Sequence, residues 1–550
     1  MKRRTFLKSA AAGIAAAPFF LEGMPVRASS PLKYLANLPL ADLNDRILII
    51  CQLFGGNDGL NTIIPADPGD PNSSIYYNIR PNIGIPANKC VRYGGLYFAP
   101  NLGGTFNGTT YSDKGGLVGL LSQGSLAVVE GIGYSHPNLS HFRSTDIWLS
   151  GINNDDPNYL LDTGWVGRYL EKQYPNFPAQ LPDDPLAIQF GGFSLALASS
   201  KGRMGIEVND PSKQAGVGSS ADALDDESAG TSYLNEYNFV ADIASRSNKY
   251  AQRVQTAYAA GKTKLTGHYG SDGFATQMAN CAALIAGGLG TKVYVVSLGG
   301  FDNHVSELTP GGNYDQGAHP GLLTQFSDAV SQFMYDIVKL NLGDRVIGLT
   351  VSEFGRRQYE NGSFGTDHGT TNVQFVFGTQ VNSGVFGDPP NLATNLEDGD
   401  GDLVSSVDYH QVYLEVLTKW FDMTYDDALA LFPDPRQYYT GANKPVPLPV
   451  IQTQKNYANY KPAGMTLAIR GNYPNPFTNK MVVQIDIPQS GIVSLEATSI
   501  DGRFSQRIFQ GQMSAGSQSI PLNLDLSSGN YLLVAKSGGM SASKMVQCVK

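Results

Sequence analysis

The sequence predicts an α/β fold, a central sheet sandwiched by helices, followed by a small all-β sandwich at the C-terminal end. Continuous β-branched runs at 47–53, 126–132, 293–298, 346–351 and 373–378 read as strands buried on both faces. Helical spacing occupies 233–258, 274–289 and 322–342, and the last aligns Leu322, Phe326, Val330, Phe333, Ile337 and Leu340 on one face. Beyond residue 466 the apolar period drops to two, with strands at 482–487, 492–497, 518–522 and 531–535.

Each segment follows from local chemistry. The strand at 47–53 ends in Gly55-Gly56-Asn57-Asp58-Gly59, a turn-forming cluster. Residues 67–113 are loop-rich, and the strand at 126–132 leads into Ser140-His141-Phe142, where Ser140 sits at a helix start. The Gly/Ser/Ala/Asp-rich stretch 211–232 reads as a long surface loop, a candidate lid. Helices at 410–421 and 426–432 close the α/β domain, assigned to 29–440. Pro445, Pro447, Pro449 and Pro462 mark 441–465 as an extended linker, leaving 466–550 as the β-sandwich.

A chain of 550 residues with 42% hydrophobic content can bury a large core. A net charge of -9 with 16% charged residues leaves no basic footprint, which excludes a dedicated nucleic-acid binder. The four cysteines, Cys51, Cys90, Cys281 and Cys548, form no C-x-x-C pair, so neither a zinc ribbon nor a disulfide framework is expected. At the N-terminus, Arg3-Arg4-Thr5-Phe6-Leu7-Lys8 precedes a mild apolar run at 10–20 and a small-residue site at Val26-Arg27-Ala28. That run is too short for a stable transmembrane segment. Residues 1–28 resemble a twin-arginine export signal.

The chemistry gathers in turns at strand ends, where open parallel sheets collect ligands. Asp58, Asp302, His304, Glu353, Asp367 and His368 are oxygen and imidazole donors in such turns and are the expected metal ligands. Only 7 histidines exist in the chain, and His141, His304 and His368 all fall in these turns. Taken singly, an Asp-Gly or Asp-His turn is ordinary turn chemistry. As a set, the residues fit a divalent metal (Zn, Mn, Mg or Ca) assisting ester hydrolysis. Ser140 reads either as a helix cap or as a nucleophile whose oxyanion a helix N-terminus favours, with His141 beside it. Arg356 clamps a substrate oxyanion or pairs with Glu360. Glu397-Asp398-Gly399-Asp400-Gly401-Asp402 fails the EF-hand template and reads as an acidic turn.

The ordered motifs Leu53-Phe54-Gly55-Gly56-Asn57-Asp58-Gly59, Ser140-His141-Phe142, Gly300-Phe301-Asp302-Asn303-His304, Ser352-Glu353-Phe354-Gly355-Arg356 and Gly365-Thr366-Asp367-His368-Gly369 resemble an exported bacterial family of unknown function (domain of unknown function 1501) in the alkaline phosphatase/sulfatase-like superfamily. The resemblance covers roughly 45–432 and implies an alkaline-phosphatase-like sheet. It also implies Asp58, Asp302, His304, Glu353, Asp367 and His368 as metal ligands and Ser140 as nucleophile. The chain departs from that pattern in two places. Asp302 and His304 are closer in sequence than in the phosphatases, and Phe354 follows Glu353 where relatives carry His. No Cys lies in a C-x-P-x-R context, which places phosphoesters ahead of sulfate esters as substrates.

Tyr473-Pro474-Asn475-Pro476-Phe477, Asp501-Gly502-Arg503 and Leu526-Ser527-Ser528-Gly529-Asn530-Tyr531 resemble the C-terminal sorting domain of type IX secretion cargo. The expected partners are therefore the twin-arginine translocase, the type IX machinery and a small-molecule or polymer ester substrate. The expected location is secreted or on the outer cell surface, reached through the periplasm. The alternative to an enzyme is a non-catalytic secreted or surface binding protein on the same scaffold.

Overall fold

The protein is described by a computed structural model covering residues 20–21, 24–25, 46–103, 115–213, 249–309, 311, 313–394, 401–452, 467–473, 475–487, 491–499, 504–513, 516–538 and 540–550. The expected signal peptide, the candidate lid and the acidic turn lie largely outside these residues. Before residue 46, the described structure consists of Phe20–Leu21 paired antiparallel with Met24–Pro25.

Eleven strands, numbered in chain order, form the sheet and a hairpin at its rim. They are β1 (Ile47–Phe54), β2 (Leu126–Gly133), β3 (Ala187–Gln189), β4 (Ile206–Glu207), β5 (Val293–Gly299), β6 (Val346–Val351), β7 (Gly355–Glu360), β8 (Thr366–Gly369), β9 (Asn372–Gly378), β10 (Gly384–Phe386) and β11 (Val407–Asp408). The 9-stranded sheet runs β4-β3-β5-β1-β6-β9-β2-β10, with β11 also on β2. Only β9 runs against its neighbours β6 and β2.

The near-continuous apolar runs divide by pleat. Ile47, Ile49, Cys51 and Leu53 of β1 face one core, with Tyr294 and Val296 of β5. Leu48 and Ile50 face the other, with Val293, Val295, Ile347 and Leu349. Helices cover both faces. The first core is closed by α2 (Gly116–Ser122), α5 (Gly273–Ala286) and α6 (Ala318–Lys339). The second is closed by α3 (His141–Ser150), α4 (Trp165–Gln173) and α7 (Tyr409–Glu415). A short α1 (Pro71–Ile79), capped by Asp70, follows the loop after β1. Of the helix expected at 233–258, only its end lies among the described residues, within a helix at 249–262.

The stretch expected to be an extended linker begins as part of this domain. Val450 and Ile451 are buried in the second core, and Ile451 bridges Val381. Apolar residues spaced among its prolines give it a face to bury, which the proline count concealed. Further on, the 3-stranded sheet β12 (Ala468–Tyr473), β13 (Lys480–Ile487) and β16 (Gly516–Asn523) is antiparallel. So is the 4-stranded sheet of β14 (Gly491–Ser499), β15 (Ser505–Met513), β17 (Gly529–Ser537) and β18 (Met540–Cys548). Both sheets share one apolar core containing Val483, Ile485, Leu495, Leu533 and Val546.

Register positions the chemistry. Val293 to Gly299 of β5 pair in parallel with Leu48 to Phe54, and Val346 to Val351 of β6 with Ile47 to Gln52. The chains after β1, β5 and β6 therefore leave the sheet at one rim. Because β9 runs the other way, its beginning lies at that same rim and delivers the β7/β8 hairpin there, where Arg356 pairs with His368.

Candidate metal centre

Four loops and one helix start meet above this rim. Gly55 and Gly56 follow β1 at φ +120 and +80, and a Cβ on Gly55 would lie 2.2 Å from the Asp302 nitrogen. Only glycine lets the two loops touch this closely. A Cβ on Gly56 would lie 2.5 Å from the Phe354 ring, which itself packs at a tilt against His141 and His368.

Asp302 Oδ1 is the focus. It lies 3.4 Å from His141 Nε2, 3.1 Å from His304 Nε2 and 3.2 Å from His368 Nε2. His304 Nε2 and His368 Nε2 are themselves 3.0 Å apart. The opposite nitrogen of each ring faces an acceptor: Glu353 Oε1 at 2.9 Å for His141, Asp367 Oδ1 at 3.0 Å for His304, and the Leu139 carbonyl at 3.0 Å for His368. Each Nδ1 therefore carries the hydrogen, and each Nε2 presents its lone pair inward. Three imidazole lone pairs and a carboxylate oxygen point at one another. Such a set repels unless a cation stands among them, and N/O donors of this kind suit zinc or a related divalent ion. His141, Asp302 and His368 place ligand atoms within 4.8 Å of one another.

The electrostatics agree. Burial lowers the His368 pKa, and although Asp302 pulls it upward, nearby Arg356 adds to the depression. Burial resists ionisation of Asp302, yet the hydrogen bond and positive charge of Arg356 outweigh it and hold that carboxyl at about 2.

The predicted residues thus separate into layers. Asp302, His304 and His368 converge, and His141, expected as a catalytic group beside Ser140, joins them. Glu353 and Asp367, expected as ligands, stand behind the imidazoles and orient them. Glu353 also accepts from Gly55 N at 2.7 Å, while its Oε2 is buried without a hydrogen-bond partner among the described residues.

Asp58 stands apart, contrary to expectation. Its carboxylate is held by Arg80 at 2.5 and 3.2 Å inside a fully buried cluster with Glu307. Burial would push the Asp58 pKa up, but Arg80 reverses the sign, while burial pushes the Glu307 pKa well above the ordinary carboxylate range. A buried carboxylate needs a counter-charge, and here a guanidinium supplies it.

Arg356 is not a free clamp and does not pair with Glu360. Its guanidinium is buried and donates to the carbonyls of Gly56 and Thr366 at 2.8 Å, to those of Phe301 and Gly55, and to Asp302 Oδ1 at 2.8 Å. It ties three loops into one frame. Glu360 instead receives the Asn82 and Ile83 amides. Ser140 is the exposed N-cap of α3, and its hydroxyl makes no capping bond. The sequence reading missed Arg80 and Glu307. His319 is buried and reaches Asn57 Oδ1 at 3.0 Å. An acceptor such as the Leu139 carbonyl leaves no side-chain signal at all.

The fold and geometry define an α/β sheet carrying a cation-ready histidine and carboxylate cluster at its carboxyl rim. Residues 205–424 match a family described as "Protein of unknown function (DUF1501)". No curated protein matches the sequence. Among solved structures, the lipoteichoic acid synthase LtaP from Listeria monocytogenes aligns at 9% identity and TM-score 0.27, over 62% of this chain. The chain spans 66% of that protein's length, just under two thirds. Ps i-CgsB in complex with k-i-k-neocarrahexaose aligns at 10% identity and TM-score 0.31, over 86% of each chain. A Bacteroides thetaiotaomicron protein, BT33494S-sulf, from work on the metabolism of multiple glycosaminoglycans, aligns at 8% identity and TM-score 0.32, over 91% of this chain and 89% of that one.

Proposed function

We propose that the protein is a metal-dependent hydrolase of phosphoesters, or of related sulfate esters, with His141, Asp302, His304 and His368 holding a divalent metal. The observation that carries this reading is the convergence of three Nε2 lone pairs on Asp302 Oδ1, each ring fixed from behind by its own acceptor. A divalent cation bound there supplies Lewis-acid polarisation of the ester oxygen and neutralises developing charge. Ser140, one residue before His141 and with its hydroxyl uncommitted to the helix, would attack the phosphorus or sulfur centre. The ester P–O or S–O bond breaks, the serine proton leaves with the departing alcohol, and water then hydrolyses the serine ester to release phosphate or sulfate. Backbone N–H groups of the first turn of α3 favour the anion that forms. Phe142, 85% exposed beside His141, gives the non-reacting part of the substrate an apolar surface.

Export by the twin-arginine route, then type IX secretion to the cell surface or medium, belongs to the same proposal. It rests on the sequence features at 1–28 and 466–550. No helix among the described residues is long and apolar enough to cross a membrane. The decisive experiment is metal analysis of the purified protein, combined with turnover of an aryl phosphate and an aryl sulfate. Stoichiometric metal, with hydrolysis lost in Ser140→Ala and in Asp302→Asn, is expected. A folded protein that binds no divalent metal would leave a non-catalytic binding protein in its place.

A further inference from the structure

A second site lies on the first-core face of the sheet, and it shares no residue with the histidine cluster. Strand β2 carries Leu126 and Val128 into the first core and Ala127 and Val129 into the second. The alternation turns Glu130 toward the first core, among apolar side chains. Between Val129 and Ile132 the register to β9 slips by one residue, and Gly131 sits at φ +67. This is a β-bulge, a device that re-aims a side chain.

Glu130 lines a cavity of about 110 Å³. Its side chain is at least nine-tenths buried and makes no hydrogen bond or ion pair among the described residues. A buried carboxylate without a partner is costly and rarely retained without a use. Asp70 and Asp67 also line the cavity, Asp67 at its exposed mouth. Both Asp70 and nearby Asp388 act electrostatically on Glu130. Three acids line the cavity, and no Lys, Arg or His does. The rest of the wall is chiefly apolar, with Leu60, Ile63, Tyr97 and Pro390 prominent.

We propose that this cavity binds a small organic ammonium compound, its cationic nitrogen on Glu130 and its apolar body against Ile63, Tyr97 and Pro390. A bare metal ion fits less well, because calcium takes roughly 6–8 oxygen ligands and this wall is mainly carbon. An ammonium group needs one buried carboxylate, and its carbon skeleton gains from the apolar wall. The acids nearer the mouth favour entry of a cation. Burial, reinforced by Asp70 and Asp388, raises the Glu130 pKa to about 7, so the carboxylate is ready to ionise when a cation arrives.

The test uses full-length protein in calorimetric titrations near pH 8, with benzylamine as probe, benzyl alcohol as its neutral counterpart and calcium chloride as competitor. Saturable one-to-one binding of benzylamine is expected, with benzyl alcohol at least ~10-fold weaker. Glu130→Gln, which keeps the shape of the protonated side chain, should weaken benzylamine by ~10-fold or more while preserving metal content at the histidine cluster. Crystals of the unaltered protein soaked in benzylamine should place its nitrogen within hydrogen-bond reach of Glu130, independently of any variant. Benzylamine that fails to bind, that binds equally well to Glu130→Gln, or that calcium displaces from Glu130 would overturn the proposal.

Discussion

Replacing Glu353 by Gln tests the metal centre at the point where geometry and charge can be separated. Glu353 Oε1 accepts from His141 Nδ1 at 2.9 Å and from Gly55 N at 2.7 Å. A glutamine carbonyl in the same place accepts both, so the imidazole keeps its direction and the loop after β1 keeps its anchor. What disappears is the negative charge that makes His141 a stronger donor. Changes of this type behind a metal-bound histidine cost about 10–100-fold in affinity. Because both hydrogen bonds survive, the lower end applies, about tenfold or ~1.4 kcal/mol. The assay is competition against a chromophoric zinc chelator at neutral pH, with secondary structure checked by circular dichroism. Affinity within about twofold of the parent would show that no cation sits on His141, and the centre as described would fall. A loss beyond about a thousandfold would refute the layering in another way, making Glu353 itself a ligand through its unpartnered Oε2.

Further outcomes follow from other groups. Ser140→Ala should leave stability within about 0.5 kcal/mol, because its hydroxyl caps nothing, yet lower aryl-ester turnover by roughly 10³-fold or more. Arg80→Met should strand Asp58 in the interior and cost about 3–5 kcal/mol in chemical denaturation, while the folded fraction keeps its metal. The Asp58 pKa is depressed, so its contribution is present above about pH 4 and disappears on acidification; the parent should lose stability there faster than Arg80→Met. Glu130 has the opposite sign, its pKa rising from 4.5 to about 7. The folded protein holds that proton more tightly, so stability falls as pH climbs through this window, by up to about 3 kcal/mol. Glu130→Gln should therefore gain on the parent between about pH 5 and 8 in thermal unfolding, and equal slopes would contradict the assignment.

The architecture was legible because buried strands must be apolar on both faces. The runs beginning at Ile47, Leu126, Val293 and Val346 are strands whose two sides fill two different cores. The strand expected at 373–378 is there too, beginning one residue earlier at Asn372. Alternation likewise revealed the C-terminal sheets. Pro445, Pro447 and Pro449 were misleading because rigidity alone does not decide whether a segment docks, and Ile451 does.

The site was legible to the level of which turns meet, and no further. Asp58, Asp302, Glu353 and Asp367 look alike as acidic residues in turns, yet they have different partners: a guanidinium for Asp58, three imidazoles and Arg356 for Asp302, and one ring nitrogen plus one amide N–H each for Glu353 and Asp367. The difference is made by residues distant in the chain. Arg80 comes from the end of α1, and it converts an expected ligand into half of a buried ion pair. Arg356 comes from β7, where His368 is its cross-strand neighbour, and its five donors gather the loops around Asp302. A cation site needs more acceptors than donors at one point. The two arginines decide where that surplus remains: Arg80 cancels it at Asp58, while at Asp302 one hydrogen bond from Arg356 leaves three inward-facing nitrogen lone pairs uncompensated.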